Sequence, residues 1–376
     1  MTKLKSTCRS FSLKELLTAV GISAFILIFF LWGIIEPDRE TSTSERRTLA
    51  QLPALSLGTV LDGSFMSGYE DYSVDQFPTR DAFRRLKAIT SFYILNQSDT
   101  NGIYLADGHA SRLEYPLDYD SVDYAIGRIE NIYSSYLKDT DAKVYLCVIP
   151  DKNYTLAKEN GYPSLDYKEL DSILSDRLGS FAEKIDISSL LTPEDYYSTD
   201  IHWRIERITD VAALLAEKMD APFDGSQLSE VKLDTPFYGV YYGQSALPLP
   251  ADSISYLTSP AIESATAYDY ESAREIPIYN MELAVGRDPY EMYLNGSRSL
   301  ITIESPNAAG DKELVIFRDS FGSSIAPILL ESYSKITLVD IRYLQSSLVG
   351  RFVDFDSQDV LFLYSVPVLN NSETMK

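Results

Sequence analysis

The sequence predicts an α/β fold with a mainly parallel β-sheet, preceded by one membrane-spanning helix. Continuous apolar runs, such as residues 144–149 and 314–317, are typical of strands buried on both faces of a parallel sheet. Segments with helical spacing of apolar residues alternate with these runs, which indicates βαβ units. Residues 16–35 carry no charge over 20 residues, a helix length of roughly 30 Å that matches the hydrocarbon layer of a bilayer.

The charges on either side of this apolar segment predict its orientation. Basic residues precede it and acidic residues follow it: Lys3, Lys5, Arg9 and Lys14, then Glu36, Asp38 and Glu40. By the positive-inside rule, residues 1–15 form a cytoplasmic tail, and the body lies outside the cell on a single-pass protein of the cell membrane. A cleaved signal peptide is the alternative, but its apolar core is about 7–15 residues long and ends at small residues. The bulky end of this segment favours a retained anchor at residues 16–35.

The body after the anchor is predicted to comprise a linker, residues 36–56, and one extracytoplasmic domain, residues 57–376. Helical periodicity covers residues 57–95 with a break at Pro78, and Asn101-Gly102 marks a turn before a short strand at 103–105. A β-rich insertion is predicted for residues 220–310, which are rich in Tyr, Pro and Ser. The remaining elements are predicted as helix 121–137, strand 144–149, helix 167–182, strand 185–187, helix 206–219, strand 314–317, helix 320–333 and strands 336–339 and 360–364.

Composition narrows the class of partner and cofactor. The formal net charge of -22 and the lack of a basic cluster in the body exclude nucleic acid as a partner. Cys8 and Cys147 fall on opposite sides of the predicted membrane, so no intrachain disulfide is expected. Cys147 lies in an apolar strand and is expected to be an inert core residue rather than a nucleophile. No metal or other cofactor is predicted, because there is no His/Cys cluster and no phosphate-cradling or dinucleotide-binding motif.

Only two histidines are available as a catalytic base. His109 stands in the loop-like stretch Asp107-Gly108-His109-Ala110 and is expected to be exposed to solvent. His202 follows Asp200 by two residues, a spacing that lets the carboxylate orient the imidazole and stabilise its protonated form. The alternative is that Asp200 only caps a helix that begins near Trp203.

Ser320 is the candidate nucleophile. It follows the apolar strand 314–317 and precedes a predicted helix, which places it at the carboxyl edge of a parallel sheet, where open α/β folds bind ligands. The N–H groups at the start of that helix can stabilise an oxyanion, and Gly322 permits close approach of a substrate. A helix-capping role for Ser320 is an equally good interpretation of the local sequence.

Taken together, these segments resemble the DHHW family and the alginate O-acetyltransferase-like proteins, which have an SGNH-hydrolase-like fold. The resemblance is carried by Asp200-Ile201-His202-Trp203 and by Arg318-Asp319-Ser320-Phe321-Gly322. It extends, in the right order, to residues 45–50, 61–65 and 75–81, and so covers essentially the whole exported body. One departure is Ile201, which replaces the first histidine of the DHHW motif. The resemblance implies a three-layer sandwich.

The resemblance also implies roles for individual residues. Ser320 would be the nucleophile, His202 its general base and Asp200 the orienting acid. No motif identifies the asparagine that usually stabilises the oxyanion in SGNH hydrolases, and Asn153 and Asn370 are the candidates for it. Trp203, Arg318 and Gly322, next to the proposed triad in sequence, are further candidates for oxyanion or substrate contact.

The leading hypothesis is an extracytoplasmic O-acetyltransferase or esterase that acts on a cell-surface glycan. By analogy with the family, a multi-pass membrane acyltransferase would supply the acyl group. The competing hypothesis is a non-catalytic protein that binds glycan or scaffolds a polysaccharide modification or export complex. A third, transfer of D-alanine to an anionic wall polymer, is disfavoured by the acidic body. The separation of Ser320 and His202 decides between the first two, because catalysis requires hydrogen-bond contact.

Overall fold

The computed structural model describes residues 12–376, in two compact units, one that ends at Thr90 and one from Ser91 to Lys376. Most of the predicted cytoplasmic tail, residues 1–11, lies outside the described residues. The first unit begins with α1 (Leu13–Ile35), which has 23 residues, an 18-residue window of mean hydropathy 2.4 and no buried side chain. By length and composition, α1 fits a single-pass membrane anchor or a signal sequence.

The rest of the first unit is a short hairpin followed by three helices. Strands β1 (Thr41–Ser42) and β2 (Arg47–Thr48) pair antiparallel within the segment that was expected to be a linker. The helices are α2 (Leu57–Leu61), α3 (Ser64–Asp75) and α4 (Arg80–Ile89). The predicted break at Pro78 is confirmed, because proline lacks the N–H that would extend α3.

The second unit contains the remaining strands and helices. The strands are β3 (Ile103–Ala106), β4 (His109–Arg112), β5 (Lys143–Ile149), β6 (Glu183–Lys184), β7 (Ser229–Phe237), β8 (Asp252–Thr258), β9 (Thr266–Asp269), β10 (Arg274–Ile276), β11 (Leu300–Glu304), β12 (Glu313–Arg318), β13 (Lys335–Val339) and β14 (Asp359–Ser365). The helices are α5 (Tyr119–Ile132), α6 (Asn153–Asn160), α7 (Tyr167–Leu178), α8 (Thr209–Lys218), α9 (Val240–Ser245), α10 (Pro260–Glu263), α11 (Met281–Ala284), α12 (Phe321–Leu329) and α13 (Val366–Leu369).

An eight-stranded sheet forms the centre of this unit, in the order β10-β9-β11-β13-β12-β14-β5-β6. The five strands from β13 to β6 are parallel, with Val315 opposite Thr337 on one side and Val360 on the other. Alternate residues of each strand enter separate cores: in β5, Tyr145 and Cys147 join α8 and α12 on one face, whereas Val144 and Leu146 join α5 and α7 on the other. The predicted mainly parallel sheet and three-layer arrangement are confirmed.

Three local predictions differ from the structure. The segment 220–310 is not a separate β-rich insertion throughout, because β9, β10 and β11 extend the central sheet as antiparallel strands and only the β7–β8 hairpin forms its own sheet. The strand expected at 185–187 is β6, two residues earlier. His109 is buried in β4 rather than solvated, since the Asp107-Gly108 turn closes the β3–β4 hairpin and places it within a strand, and burial lowers its pKa.

Candidate active site

Ser320 lies in the turn between β12 and α12, at the carboxyl edge of the parallel strands. Its side chain does not cap α12; Asp319 does this instead, by accepting a hydrogen bond at Oδ1 from the N–H of Phe321, 3.0 Å away. The other oxygen of Asp319 accepts bonds from the N–H and the hydroxyl of Ser365, at the end of β14. The capping role is therefore filled by Asp319, which leaves the hydroxyl of Ser320 free for another partner.

That partner is His202. Its Nε2 lies 2.7 Å from the Oγ of Ser320, and its Nδ1 lies 2.6 Å from the Oδ1 of Asp200. Because the buried carboxylate of Asp200 can only accept at Nδ1, the neutral imidazole carries its proton there and Nε2 accepts from the serine hydroxyl. The three predicted triad residues are thus brought into one hydrogen-bonded chain, across 118 residues of sequence between His202 and Ser320.

The segment that carries Asp200 and His202 is a tight antiparallel loop, and not the start of a helix. Tyr196 pairs with Trp203, and α8 begins only at Thr209, so Asp200 does not cap a helix at Trp203. Instead, Oδ2 of Asp200 accepts the N–H of Val240 at 2.7 Å, and Oδ1 also accepts the N–H of His202 at 3.1 Å. These bonds hold the carboxylate in place before any substrate arrives, as an orienting acid requires.

A buried tyrosine that the sequence did not identify supports the imidazole. The ring of Tyr290 stacks on that of His202, with centroids 3.7 Å apart and planes 11° from parallel. The Tyr290 hydroxyl donates to Ser324 Oγ at 2.7 Å, and Trp203 Nε1 donates to the same atom at 2.8 Å. Tyr290 lies in the segment 220–310, where no motif marks it, and only the folded chain places it against the histidine.

A buried lysine holds the same loop from the other side. Lys152, between β5 and α6, donates from Nζ to the carbonyl of Tyr197 at 2.8 Å, and Nζ lies 5.1 Å from the centre of the Tyr241 ring. Burial lowers the pKa of Lys152 to about 7, against the opposing charges of Asp200 and other carboxylates. No motif marks Lys152 in the sequence, although its position just after a buried parallel strand is a usable signal.

The residues next to the triad that were predicted to contact the oxyanion or the substrate are instead packed inside the protein. Trp203 and Arg318 are 0% exposed, so neither presents surface to a substrate in this structure. Arg318 Nη1 lies 3.6 Å from Asp340, and burial lowers the pKa of Arg318 despite that charge. A Cβ added at Gly322 would lie 2.6 Å from the Cβ of Arg318. Glycine at 322 therefore makes room for the buried arginine, and its contact with a substrate stays a prediction.

The two asparagines proposed for the oxyanion are also engaged elsewhere. The Nδ2 of Asn153 donates to the carbonyls of Glu114 and Pro163, at 3.4 and 3.5 Å. The Nδ2 of Asn370 donates to Glu114 Oε1 at 2.8 Å and to the carbonyl of Pro116 at 3.1 Å. With both amide hydrogens committed, neither side chain has a donor for an oxyanion, and that role stays a prediction without geometric support.

Within residues 12–376, no group of three or more His, Cys, Asp or Glu side chains is arranged to hold a metal ion. Cys147 is fully buried, and burial raises its pKa well above the usual value, which disfavours the reactive thiolate. Among the described residues, the hydrogen-bonded chain of Ser320, His202 and Asp200 is the arrangement that supports nucleophilic catalysis.

Comparisons with solved structures identify proteins of the same fold. A DHHW family protein from Eubacterium siraeum superposes with a TM-score of 0.58 at 21% identity, over 73% of this chain and 95% of that chain. PatB1 from Bacillus cereus, solved with a sulfonyl adduct, superposes with a TM-score of 0.55 at 18% identity, over 71% of this chain and 95% of that chain. No protein-family model and no curated protein sequence matches the chain. The fold that the motifs predicted is therefore confirmed as one shared with a DHHW family protein and with PatB1.

Proposed function

We propose that this protein is an O-acetyltransferase or esterase that acts on a cell-surface polysaccharide outside the cell. The observation that carries the proposal is the continuous chain from Ser320 Oγ to His202 Nε2, 2.7 Å, and from His202 Nδ1 to Asp200, 2.6 Å. A glycan-binding protein without catalysis has no need of this geometry, which is the arrangement of an activated serine nucleophile.

The chemistry follows from these contacts. Ser320 Oγ attacks the carbonyl carbon of an acyl donor while His202 Nε2 takes the hydroxyl proton, and the leaving alcohol departs with that proton. A sugar hydroxyl or water then attacks the acyl-enzyme, gives its proton to His202, and the proton returns to Ser320. Asp200 stabilises the imidazolium in both steps, since it already bonds Nδ1.

The backbone N–H groups of the turn at Ser320 are the proposed source of the hydrogen bond that stabilises the oxyanion. The N–H of Phe321 is bonded to Asp319 Oδ1, and that of Gly322 donates to the Asp319 carbonyl at 3.2 Å. The proposed donor is therefore the backbone N–H of Ser320 itself, aided by the positive end of α12. This assignment replaces the asparagine side chains expected from the sequence.

The proposed location is the cell membrane, with α1 as a retained single-pass anchor, the N-terminus in the cytoplasm and the body extracellular. The uncharged residues 16–35 of α1 and the basic residues before them support this arrangement. The acceptor would be a cell-surface glycan, and the acyl donor would be delivered by a multi-pass membrane acyltransferase. Protease added to intact cells should digest the body and spare the cytoplasmic tail. Digestion of the tail alone would show that the chain has the opposite orientation in the membrane.

The first test is active-site labelling of the full-length protein in detergent. An aryl sulfonyl fluoride should add one sulfonyl group to the parent, as seen in the intact mass, and none to Ser320→Ala or His202→Ala. The control is Ser323→Ala, because Ser323 is buried in α12 and its hydroxyl has no partner among the described residues. Labelling that persists in Ser320→Ala, or slow hydrolysis of 4-nitrophenyl acetate that all variants share, would favour the non-catalytic glycan-binding alternative.

A further inference from the structure

A large apolar groove lies within the first unit, between α1 and α3. Its volume is about 740 Å³. One wall is a single face of α1, because its residues recur at helical spacing from Phe25 through Phe29 to Gly33. The other wall is formed by α3 and the turn after it, including Tyr69 and Phe77. None of these residues belongs to the Ser320 site.

The depth of this groove along α1 places it in the lipid layer. Phe25 lies ten residues before the end of α1, which is roughly 15 Å at 1.5 Å per residue, or half the hydrocarbon thickness. The ring of Phe29 stacks on that of Phe77, with centroids 5.3 Å apart, and lies 5.6 Å from that of Phe83. The opposite wall is therefore held beside the outer half of the anchor.

The same unit exposes large apolar side chains beside the groove. Leu57 is 80% exposed, Leu61 78% and Met66 63%, all on α2 and α3. Exposed carboxylates, Asp62, Glu70 and Asp71, lie on and beside the same helices. The exposed leucines are suited to contact with the acyl chains of a bilayer, and the carboxylates to its aqueous boundary.

Two carboxylates at the mouth of the groove indicate which kind of lipid headgroup it can accept. Glu36 and Asp38 line it, and Asp38 Oδ1 accepts a bond from the hydroxyl of Tyr72 at 2.9 Å. The Oε2 of Glu36 is buried and has no hydrogen-bond partner among residues 12–376. A carboxylate oxygen left unpaired at the end of an apolar groove attracts a hydroxyl or ammonium donor and repels an anionic headgroup.

We propose that this groove binds an acyl chain of a zwitterionic lipid in the outer leaflet, whose headgroup supplies an ammonium donor to Glu36. The first unit would then lie in the membrane interface as a lipid-bound base for the enzyme. The proposal rests on the retained anchor of the proposed function, but not on its acyl chemistry.

The test uses the full-length chain reconstituted in nanodiscs of equal phosphatidylethanolamine and phosphatidylglycerol, followed by native mass spectrometry in mild detergent. The parent should retain one phosphatidylethanolamine in preference to phosphatidylglycerol. Ser73→Phe fills the groove from exposed α3 and should reduce retention about tenfold. Ser67→Phe is the matched control, because it makes the same change on the same helix outside the groove lining. Glu36→Gln should keep the lipid and lose the headgroup preference.

Each contrary result has a distinct meaning. Equal retention by Ser73→Phe and Ser67→Phe would refute the groove as the lipid site. A dimer mass that only Ser73→Phe abolishes would show that a second copy of the chain fills the groove, and would also refute the proposal. The intact mass in the same spectra shows whether the anchor is retained, and sulfonyl labelling of the same samples shows whether Ser320 is reactive. A cleaved anchor or an unreactive Ser320 can therefore be distinguished from a loss of lipid binding.

Discussion

The substitution Asp200→Asn tests the triad most sharply, because it preserves shape while changing hydrogen-bond chemistry. The carboxylate accepts bonds on both oxygens: Oδ1 from His202 Nδ1 at 2.6 Å and from the His202 N–H at 3.1 Å, and Oδ2 from the Val240 N–H at 2.7 Å. An asparagine offers one acceptor oxygen and one NH₂ donor in the same space. It therefore cannot satisfy both sides of this arrangement.

Each orientation of the amide has a definite cost. With its oxygen toward Val240, the NH₂ faces His202, which forces the imidazole into the tautomer that cannot accept from Ser320. With its oxygen toward His202, the NH₂ faces the Val240 N–H, which leaves buried donors unpaired at a cost of about 1–3 kcal/mol in stability. In both orientations the imidazolium loses its counter-charge. We expect kcat to fall by about 10³–10⁴, equivalent to roughly 4–5 kcal/mol.

The assay is steady-state hydrolysis of 4-nitrophenyl acetate by the full-length protein in detergent. Asp200→Asn should lower kcat with little change in KM, since the carboxylate does not contact the substrate. Asp176→Asn makes the same change at an exposed site on α7 and should match the parent. A kcat for Asp200→Asn within about threefold of the parent, beside an inactive Ser320→Ala, would refute the role of Asp200 as orienting acid.

Three further predictions concern stability, each measured by chemical denaturation. Burial in the folded chain depresses the pKa of Lys152 to about 7, so above that pH the unfolded chain binds more protons than the folded chain. The free energy of unfolding should therefore rise from pH 7 towards about 10, and Lys152→Met should remove this rise. Gly322→Ala should cost about 1–3 kcal/mol, because its Cβ would lie 2.6 Å from the Cβ of Arg318; an unchanged midpoint would contradict this. Ser324→Ala should cost about 1–3 kcal/mol by leaving two buried donors unpaired, whereas Ser323→Ala, whose hydroxyl has no described partner, should be near neutral; equal effects would refute the distinction.

The triad residues were readable from the sequence because their chemistry is marked locally. A serine directly after a buried parallel strand reaches the carboxyl edge of the sheet whatever the rest of the chain does. An Asp two residues before a His can reach Nδ1 within one loop, so that pairing needed no long-range information. The sequence could not decide whether Ser320 and Asp200 were caps, because capping and catalysis favour the same residue types.

The surroundings of the triad could not be read in this way. Tyr290 and Lys152 reach the His202 loop from segments that are distant in sequence, and neither carries a motif. Gly322 was assigned to the substrate because glycine marks close approach, but the sequence does not say which group approaches. The neighbour proved to be the side chain of Arg318.

The sequence by itself predicted the apolar helix and the alternation of strands and helices, which depend on hydrophobic periodicity. The three residues of the proposed triad were indicated by the resemblance of their motifs to the DHHW family. Only the tertiary structure decided that β9–β11 extend the main sheet, that Asn153 and Asn370 have no free donor, and that a groove lies against α1. Each of these depends on which distant segments pack together, because hydrogen-bond partners and cavities are properties of contacts and not of single residues.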